Sequence, residues 1–177
     1  MNSFKDALIK AGLSPDIIAS KSKSAAEFTL EMKLYEMREH ILALKRIYPK
    51  YLSAEGDDKF DYVDSLANRF GYMVIAFQDI MSTIYFLDNQ GKKKEELSIR
   101  RVISEFQTIF EKECENQLTD NAISSFSDRN EIVHMYENYQ GNMENVLSNV
   151  VNYLDEYEKI WKMLWEYSEK NSILKNS

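Results

Sequence analysis

The chain has 177 residues and a net charge of −7, with few glycines (5) and prolines (2) among many large apolar and charged side chains. This length favours one domain, and the composition favours long helices and argues against a sandwich or barrel. The acidic charge excludes a general electrostatic attraction to nucleic acid, so any RNA contact has to be local.

The start of the chain predicts a short helix from Asn2 to about Ile18, interrupted by Gly12 and by the Ser14–Pro15 pair. The next residues, "SKSKSAAE", are either a polar linker or the entry to the following helix. We assign residues 1–24 to an N-terminal extension. The start lacks the apolar segment of a signal peptide, and the longest apolar run, "MVIAF", is far shorter than the ~20 residues that cross a bilayer. These features, with a single cysteine, predict a cytoplasmic protein without a membrane segment.

Four further helices are predicted from apolar residues that recur every three or four positions. The first begins near Ala25 and ends at Pro49 and "SAEGDD", and the second ends at Gly91. The stripes, in chain order, are Leu30, Leu34, Met37, Ile41, Leu44 and Tyr48; Val63, Leu66, Phe70, Met73, Phe77, Ile80, Ile84 and Leu87; Ile99, Ile103, Phe106 and Phe110; and Met143, Val146, Val150, Tyr153, Tyr157, Ile160, Leu164 and Tyr167.

Long amphipathic helices joined by short polar loops predict an all-α fold, an up-and-down bundle over residues 25–170, followed by a frayed tail at 171–177. The tyrosines and tryptophans of the last helix are expected in the core or in a dimer interface. His40 stands between charged residues in "EMREHILALKR", so we expect it on a solvated helix face. With one cysteine and two distant histidines, no metal site is predicted.

The stretch "SFSDRNEIVHMYENY" concentrates groups of chemical interest, namely Arg129, Asn130, His134 and Tyr136. On a straight helix Arg129 and His134 point about 140° apart, so they converge only if Arg129 lies at a kink or before the helix proper. Asp128 is a candidate N-cap that would leave Arg129 and Asn130 in the first turn.

These residue types suit the cleavage of RNA without a metal or another cofactor. Histidine exchanges protons near neutral pH, arginine holds a phosphate and stabilises the charge that develops on it, and Asn130 can orient either side chain. Because the reaction needs both an acid and a base, a two-fold homodimer would bring two copies of His134 to a shared cleft. Surface hydrogen bonding without catalysis is the alternative for such a set.

"RNEIVHMY" resembles the signature of the HEPN superfamily, and R-x-x-x-x-H-x-Y resembles its HepT branch, the toxin half of type VII HEPN/MNT toxin–antitoxin pairs. "NRFGYMVIAFQDI", Asn68 to Ile80, is similar to the second core helix of HepT-like proteins. Those proteins often carry an Arg-Phe-Glu run, whereas this chain has Arg69, Phe70 and Gly71. The resemblance covers roughly Ala25 to Tyr167 and implies a HEPN-like helical bundle.

The resemblance further implies that Arg129 and His134 are the catalytic pair of a metal-independent endoribonuclease, supported by Asn130. Tyr136 would be the tyrosine that a cognate MNT nucleotidyltransferase adenylylates to silence the toxin. An AMP group there would place an anion near Arg129 and compete with RNA. Because Gly71 replaces the glutamate and the chain is acidic, a second hypothesis is a non-catalytic HEPN partner, or a substrate- or nucleotide-binding subunit, of a nucleotidyltransferase.

Overall fold

The computed structural model describes residues 15–88, 104, 107, 111, 124–130 and 143–171, and no strand occurs among them. Three long helices dominate: α1 is Pro15–Ser53, α2 is Asp57–Asp88 and α3 is Met143–Lys170. Residues 124–130 form a further helical segment. The expected all-helical bundle is therefore confirmed for the part of the chain that is described.

Helix α1 is longer at both ends than the sequence pattern suggested. It begins at Pro15 and continues through Ala25, so the boundary placed after residue 24, and the linker reading of "SKSKSAAE", fall within one continuous helix. A proline suits the first turn because its missing N–H is not needed there. Pro49 was expected to end the helix, but α1 continues to Ser53. Burial of Tyr51 favours this extra turn, in which the Ser53 hydroxyl donates to the carbonyl oxygens of Pro49 and Lys50.

A three-residue turn joins α1 to α2. Gly56 adopts a φ of 60°, a left-handed conformation that glycine reaches without a steric penalty. Its carbonyl oxygen accepts a hydrogen bond from the Lys59 backbone at 3.2 Å. Asp57 and Asp58 occupy the first turn of α2, where negative charge favours the exposed N–H groups. The short turn makes α1 and α2 an antiparallel hairpin.

The core lies where the stripes of the three helices meet. The predicted core residues are buried or packed against the core wherever their side chains are described, and the fully buried set includes Leu34, Leu44, Phe70, Phe77 and Tyr157. The stripe predicted from Ile99 to Phe110 and the stop at Gly91 lie outside the described residues. The three helical positions described nearby, 104, 107 and 111, are polar and are separated by three and four residues, which places them on one face.

Contacts between side chains show the relative directions of the helices. Tyr35 and Lys45 of α1 meet Trp165 and Glu158 of α3, respectively, so α1 and α3 are antiparallel. Because α2 is also antiparallel to α1, α2 and α3 are parallel. Their aromatic rings meet at Phe70–Tyr153 and Phe77–Tyr157.

Helix α2 is the most apolar of the three. By length and composition alone, Asp57–Leu87 would be sufficient to cross a membrane, with a mean hydropathy of 1.3 in its most apolar window. Half of that window is buried within the bundle. A central helix of a helical core has the same property, so this feature is weak support for a membrane span.

Candidate functional site

The segment that carries Arg129 is attached to α2 and α3 by two buried residues. Ser125 is fully buried, and its hydroxyl is hydrogen-bonded to that of Tyr157. Phe126 stacks on Phe77 of α2 with ring centroids 5.9 Å apart, and Phe77 meets the edge of Tyr157 at 5.5 Å. One turn of helix is thereby fixed against the core, immediately before the proposed site.

Asp128 anchors the same segment to α3 and does not cap a helix. The Tyr153 hydroxyl donates to Oδ2 of Asp128 at 2.6 Å and lies 3.3 Å from the Ser124 hydroxyl. Because residues 124–130 are all helical, the expectation of Asp128 as the N-cap is wrong. The burial of Ser125 and Phe126 explains why the helix already exists upstream of Asp128. Whether Arg129 lies at a kink or before the helix that carries His134 depends on residues 131–142, which are outside the described part of the chain.

Burial keeps the two anchoring tyrosines protonated. It raises the pKa of Tyr153, and the hydrogen bond to Asp128 raises it further. Complete burial also raises the pKa of Tyr157 far above its usual value. Both phenols therefore stay protonated throughout the physiological pH range.

Arg129 is half-buried beside these anchors. Its Nη1 donates to Oδ1 of the adjacent Asn130 at 3.0 Å. The Nε of Arg129 is buried and, within the described part of the chain, has no hydrogen-bond partner. A buried N–H without a partner costs about 1–3 kcal/mol, so an incoming acceptor oxygen would be stabilised at this position.

The other two members of the motif, His134 and Tyr136, lie outside the described residues. The site that can be described is thus one arginine, its asparagine partner and the Asp128–Tyr153 anchor. Tyr153 and Ser125 were not expected to take part in positioning it. The helical spacing of Tyr153 and Tyr157 in the sequence indicated a buried face, but no pattern in the sequence indicated which segment would pack on it.

An arginine and a histidine also meet between α1 and α2. His40 is only 8% exposed, so its expected position on a solvated face is wrong. Nη1 of Arg69 lies 3.4 Å from Nδ1 of His40, and Nε2 lies 3.8 Å from a carboxylate oxygen of Glu36. The ring of Tyr72 stacks on the imidazole at a centroid distance of 5.6 Å.

The electrostatics of this pair favour a neutral imidazole. Burial lowers the pKa of His40, the Arg69 guanidinium lowers it further, and Glu36 partly opposes both effects. Because arginine can only donate, Nδ1 is the acceptor and Nε2 carries the hydrogen that faces Glu36. Arg69 therefore engages Nδ1, while Nε2 faces the Glu36 carboxylate at 3.8 Å.

Protein-family models, curated proteins and solved structures were each compared with the chain, and none of the three comparisons found a match.

Proposed function

We propose that this chain is a metal-independent endoribonuclease of the HEPN type, the toxin of a type VII HEPN/MNT pair, with Arg129 as its phosphate-binding residue. The observation that carries the proposal is the buried Nε of Arg129, which has no partner among the described residues. Arg129 is the first residue of the R-x-x-x-x-H-x-Y motif and lies on a helical segment that is fixed to the core.

This arrangement suits a phosphate group of RNA. A guanidinium offers five N–H donors, and in Arg129 one Nη1 donor is assigned to Asn130 while Nε is left for another acceptor. Phosphate oxygens accept such bonds in pairs, with both charge and geometry favourable. The Asp128–Tyr153 bond holds the segment so that little side-chain ordering is required when RNA binds.

The remaining roles follow from the resemblance. His134 would transfer the proton between the attacking 2′-hydroxyl and the leaving oxygen, and a homodimer would supply the second histidine. Tyr136 would carry the AMP group that silences the enzyme, and RNA and a cytoplasmic MNT nucleotidyltransferase would be the partners. The chain's single cysteine and two histidines, distant in sequence, offer no obvious metal ligand set, so no metal or other cofactor is invoked.

A second candidate is binding without cleavage, as a non-catalytic HEPN partner of a nucleotidyltransferase. The carboxylate of Asp128 precedes Arg129, and the net charge of the chain is −7, so a single nucleotide phosphate would meet less repulsion than a long RNA. In this case Arg129 would bind the nucleotide phosphate and His134 would have no role in proton transfer.

Variants at Arg129 test the proposal, with Arg69 as a matched control. Arg129→Ala should lower RNA cleavage measured in EDTA about 10²–10³-fold, as expected for the loss of one preorganised donor. Arg129→Lys should recover only part of the activity, since an ammonium lacks the guanidinium fork. Arg69→Lys should leave cleavage unchanged. Equal activity of Arg129→Ala and the parent would contradict the assignment, whereas nucleotide binding without cleavage by the parent would favour the second candidate.

The proposal predicts an MNT-type nucleotidyltransferase encoded next to this chain, and co-expression with that protein tests the partner. Intact-mass and peptide spectrometry should find AMP on Tyr136 and none on Tyr139 or Tyr153, and the buried, hydrogen-bonded hydroxyl of Tyr153 makes it a suitable negative control. Tyr136→Phe should remain an active nuclease that the nucleotidyltransferase can no longer silence. AMP on Tyr139 alone would remove the role given to Tyr136 and would leave the role of Arg129 untouched.

A further inference from the structure

The face of α1 that points away from the core carries an apolar stripe. Four large residues define this α1 outer stripe: Phe28 is 64% exposed, Met32 51%, Tyr35 38% and Leu42 47%. With about 100° per residue, the stripe points roughly 160° away from Leu44, which is fully buried. Isolated exposed apolar residues are common, but several large ones on one helix face indicate an interaction surface.

The spacing of the stripe is that of a coiled-coil seam. Phe28, Tyr35 and Leu42 are separated by seven residues, a repeat that stays on the contact line when two helices supercoil. The seam is about 21 Å long, at ~1.5 Å per residue. Trp165 of α3 meets Tyr35 edge-to-face at 5.2 Å, so the apolar surface extends sideways onto the neighbouring helix.

The stripe is symmetric about its centre. Phe28 and Leu42 lie seven residues on either side of Tyr35, while Glu31 precedes Tyr35 by four residues and Arg38 follows it by three. In an antiparallel pair with a two-fold axis near Tyr35, Phe28 faces Leu42 of the other copy. Glu31 then lies within one residue, about 1.5 Å along the axis, of the level of Arg38 of the other copy, on the same edge of the seam, and this contact occurs twice. A parallel pair would instead place Glu31 against Glu31.

The free charges agree with the antiparallel arrangement. Glu31 has no ion-pair partner among the described residues, and Arg38 rests on Trp161 at 5.6 Å with its guanidinium accessible at the surface. Opposite charges at the edge of a helical seam select both partner and orientation. Glu39 interrupts the stripe on its other edge, which is unfavourable in an apolar seam and limits its affinity.

We propose that the occupant of the α1 outer stripe is a second copy of this chain, bound antiparallel through the same stripe with a two-fold axis near Tyr35. This interface does not rest on the proposed nuclease function. The contacts described for segment 124–130 run to α2 and α3, whereas the stripe lies on the outer face of α1. Pairing of Arg129 segments and pairing of stripes can therefore be broken separately.

Charge exchange at the edge of the seam tests the pairing of Glu31 with Arg38. In analytical ultracentrifugation, Glu31→Arg and Arg38→Glu should each weaken self-association about tenfold because like charges then face each other. The double variant should return to within about twofold of the parent, since the opposite charges are restored in reversed order. If the only effect of Arg38→Glu were the loss of its contact with Trp161, the double variant would associate as weakly as the single variant. Failure of the double variant to recover would therefore overturn the proposal.

The apolar positions provide a second test with a matched control. Met32→Glu should abolish association through the stripe, and Glu39→Leu should strengthen it at least tenfold because it completes the apolar edge. Phe60→Glu is the control, since Phe60 is 59% exposed on α2 and outside the stripe. Circular dichroism should show the parent's helicity in all three. A dimer unaffected by Met32→Glu and Glu39→Leu would show that association uses another surface.

Cross-linking determines the orientation. In a Cys114→Ser background, which removes the only cysteine, Tyr35→Cys should cross-link to itself with a short bismaleimide. Phe28→Cys and Leu42→Cys should cross-link only when the two proteins are mixed. Cross-linking of either variant to itself would indicate a parallel pair. A monomer in which the Tyr35→Cys thiol resists maleimide would show that another part of the same chain covers the stripe; either result would overturn the proposal.

Discussion

Arg69 and Arg129 belong to two different regions of the described chain, the α1–α2 contact and segment 124–130, and their guanidinium groups have different neighbours. Arg69 and His40 are 29 residues apart in sequence and meet directly, with the second imidazole nitrogen facing Glu36 and the ring covered by Tyr72. Arg129 precedes His134 in a short motif, and a buried nitrogen of its guanidinium has no partner among the described residues.

Proximity of an arginine to a histidine is by itself weak evidence for chemistry, since structural networks of polar groups produce the same arrangement. At His40, Nδ1 is engaged by Arg69 and Nε2 faces Glu36 at 3.8 Å. At Arg129 a buried donor is available, and the surrounding residues hold its backbone in place. Incomplete pairing of a buried polar group is the more informative feature, since such groups are normally satisfied.

The largest expected difference between the two regions should appear when each histidine is removed in turn. His134→Ala should reduce RNA cleavage about 10²–10⁴-fold, the range that general acid–base catalysis contributes. His40→Gln should retain the parent's cleavage rate, because glutamine is neutral and can still accept a hydrogen bond from Arg69. Rates measured in EDTA, with circular dichroism for each variant, decide the outcome. Loss of cleavage in His40→Gln alone would move the active site to the α1–α2 groove.

The next largest effect is expected at the anchor that only the Arg129 region possesses. Tyr153→Phe removes the hydrogen bond to Asp128 and should lower the free energy of unfolding by about 1.5–3 kcal/mol, since the acceptor is charged. Cleavage should fall as well, because Arg129 is then less well positioned. Tyr72→Phe keeps the ring that covers His40 and should change neither quantity. Urea unfolding followed by cleavage assays would show whether anchoring and activity are lost together.

Much of the fold could be predicted because periodicity is a local property of the sequence. The stripes of α1, α2 and α3 agree with the buried faces wherever their side chains are described. Helix ends were predicted less well: Pro15 and Pro49 were read as interruptions, although one begins α1 and the other lies in its last turns. The burial of Tyr51 outweighs the local cost of Pro49, and that burial depends on tertiary packing.

The sites were harder to predict because they depend on contacts between distant residues. The charged neighbours of His40 suggested exposure, although its spacing of three from Met37 and four from Leu44 places it next to the buried face. The motif drew attention to Arg129, but the Asp128–Tyr153 contact joins residues 25 positions apart. A single sequence does not contain that information in any short pattern.

The pH dependence of stability should distinguish the two regions. The folded protein has a His40 pKa below the ordinary value of 6.5, because of burial and Arg69. As the pH falls below 6.5, the unfolded chain therefore binds more protons at His40 than the folded protein does. The free energy of unfolding has its full value with respect to His40 above pH 6.5 and decreases towards lower pH. The difference in unfolding free energy between the parent and His40→Gln, measured by urea titration from pH 7.5 to 5, should shift against the parent as the pH falls. A constant difference would mean that the pKa of His40 is not lowered in the folded protein, by burial or by Arg69.

The smallest effect concerns Gly71, two residues beyond Arg69 and at the position of the family's glutamate. A Cβ built at Gly71 meets nothing within 4 Å, so Gly71→Ala should stabilise α2 by about 0.5–1 kcal/mol through its higher helix propensity. Gly56→Ala is the contrasting control, because the φ of 60° at Gly56 should cost that variant about 1–2 kcal/mol. Gly71→Glu should be stabilising too and should leave cleavage unchanged, since it adjoins the internally paired Arg69. A rise in cleavage with Gly71→Glu, but not with Gly71→Ala, would show that the Arg69 side of α2 takes part in the reaction.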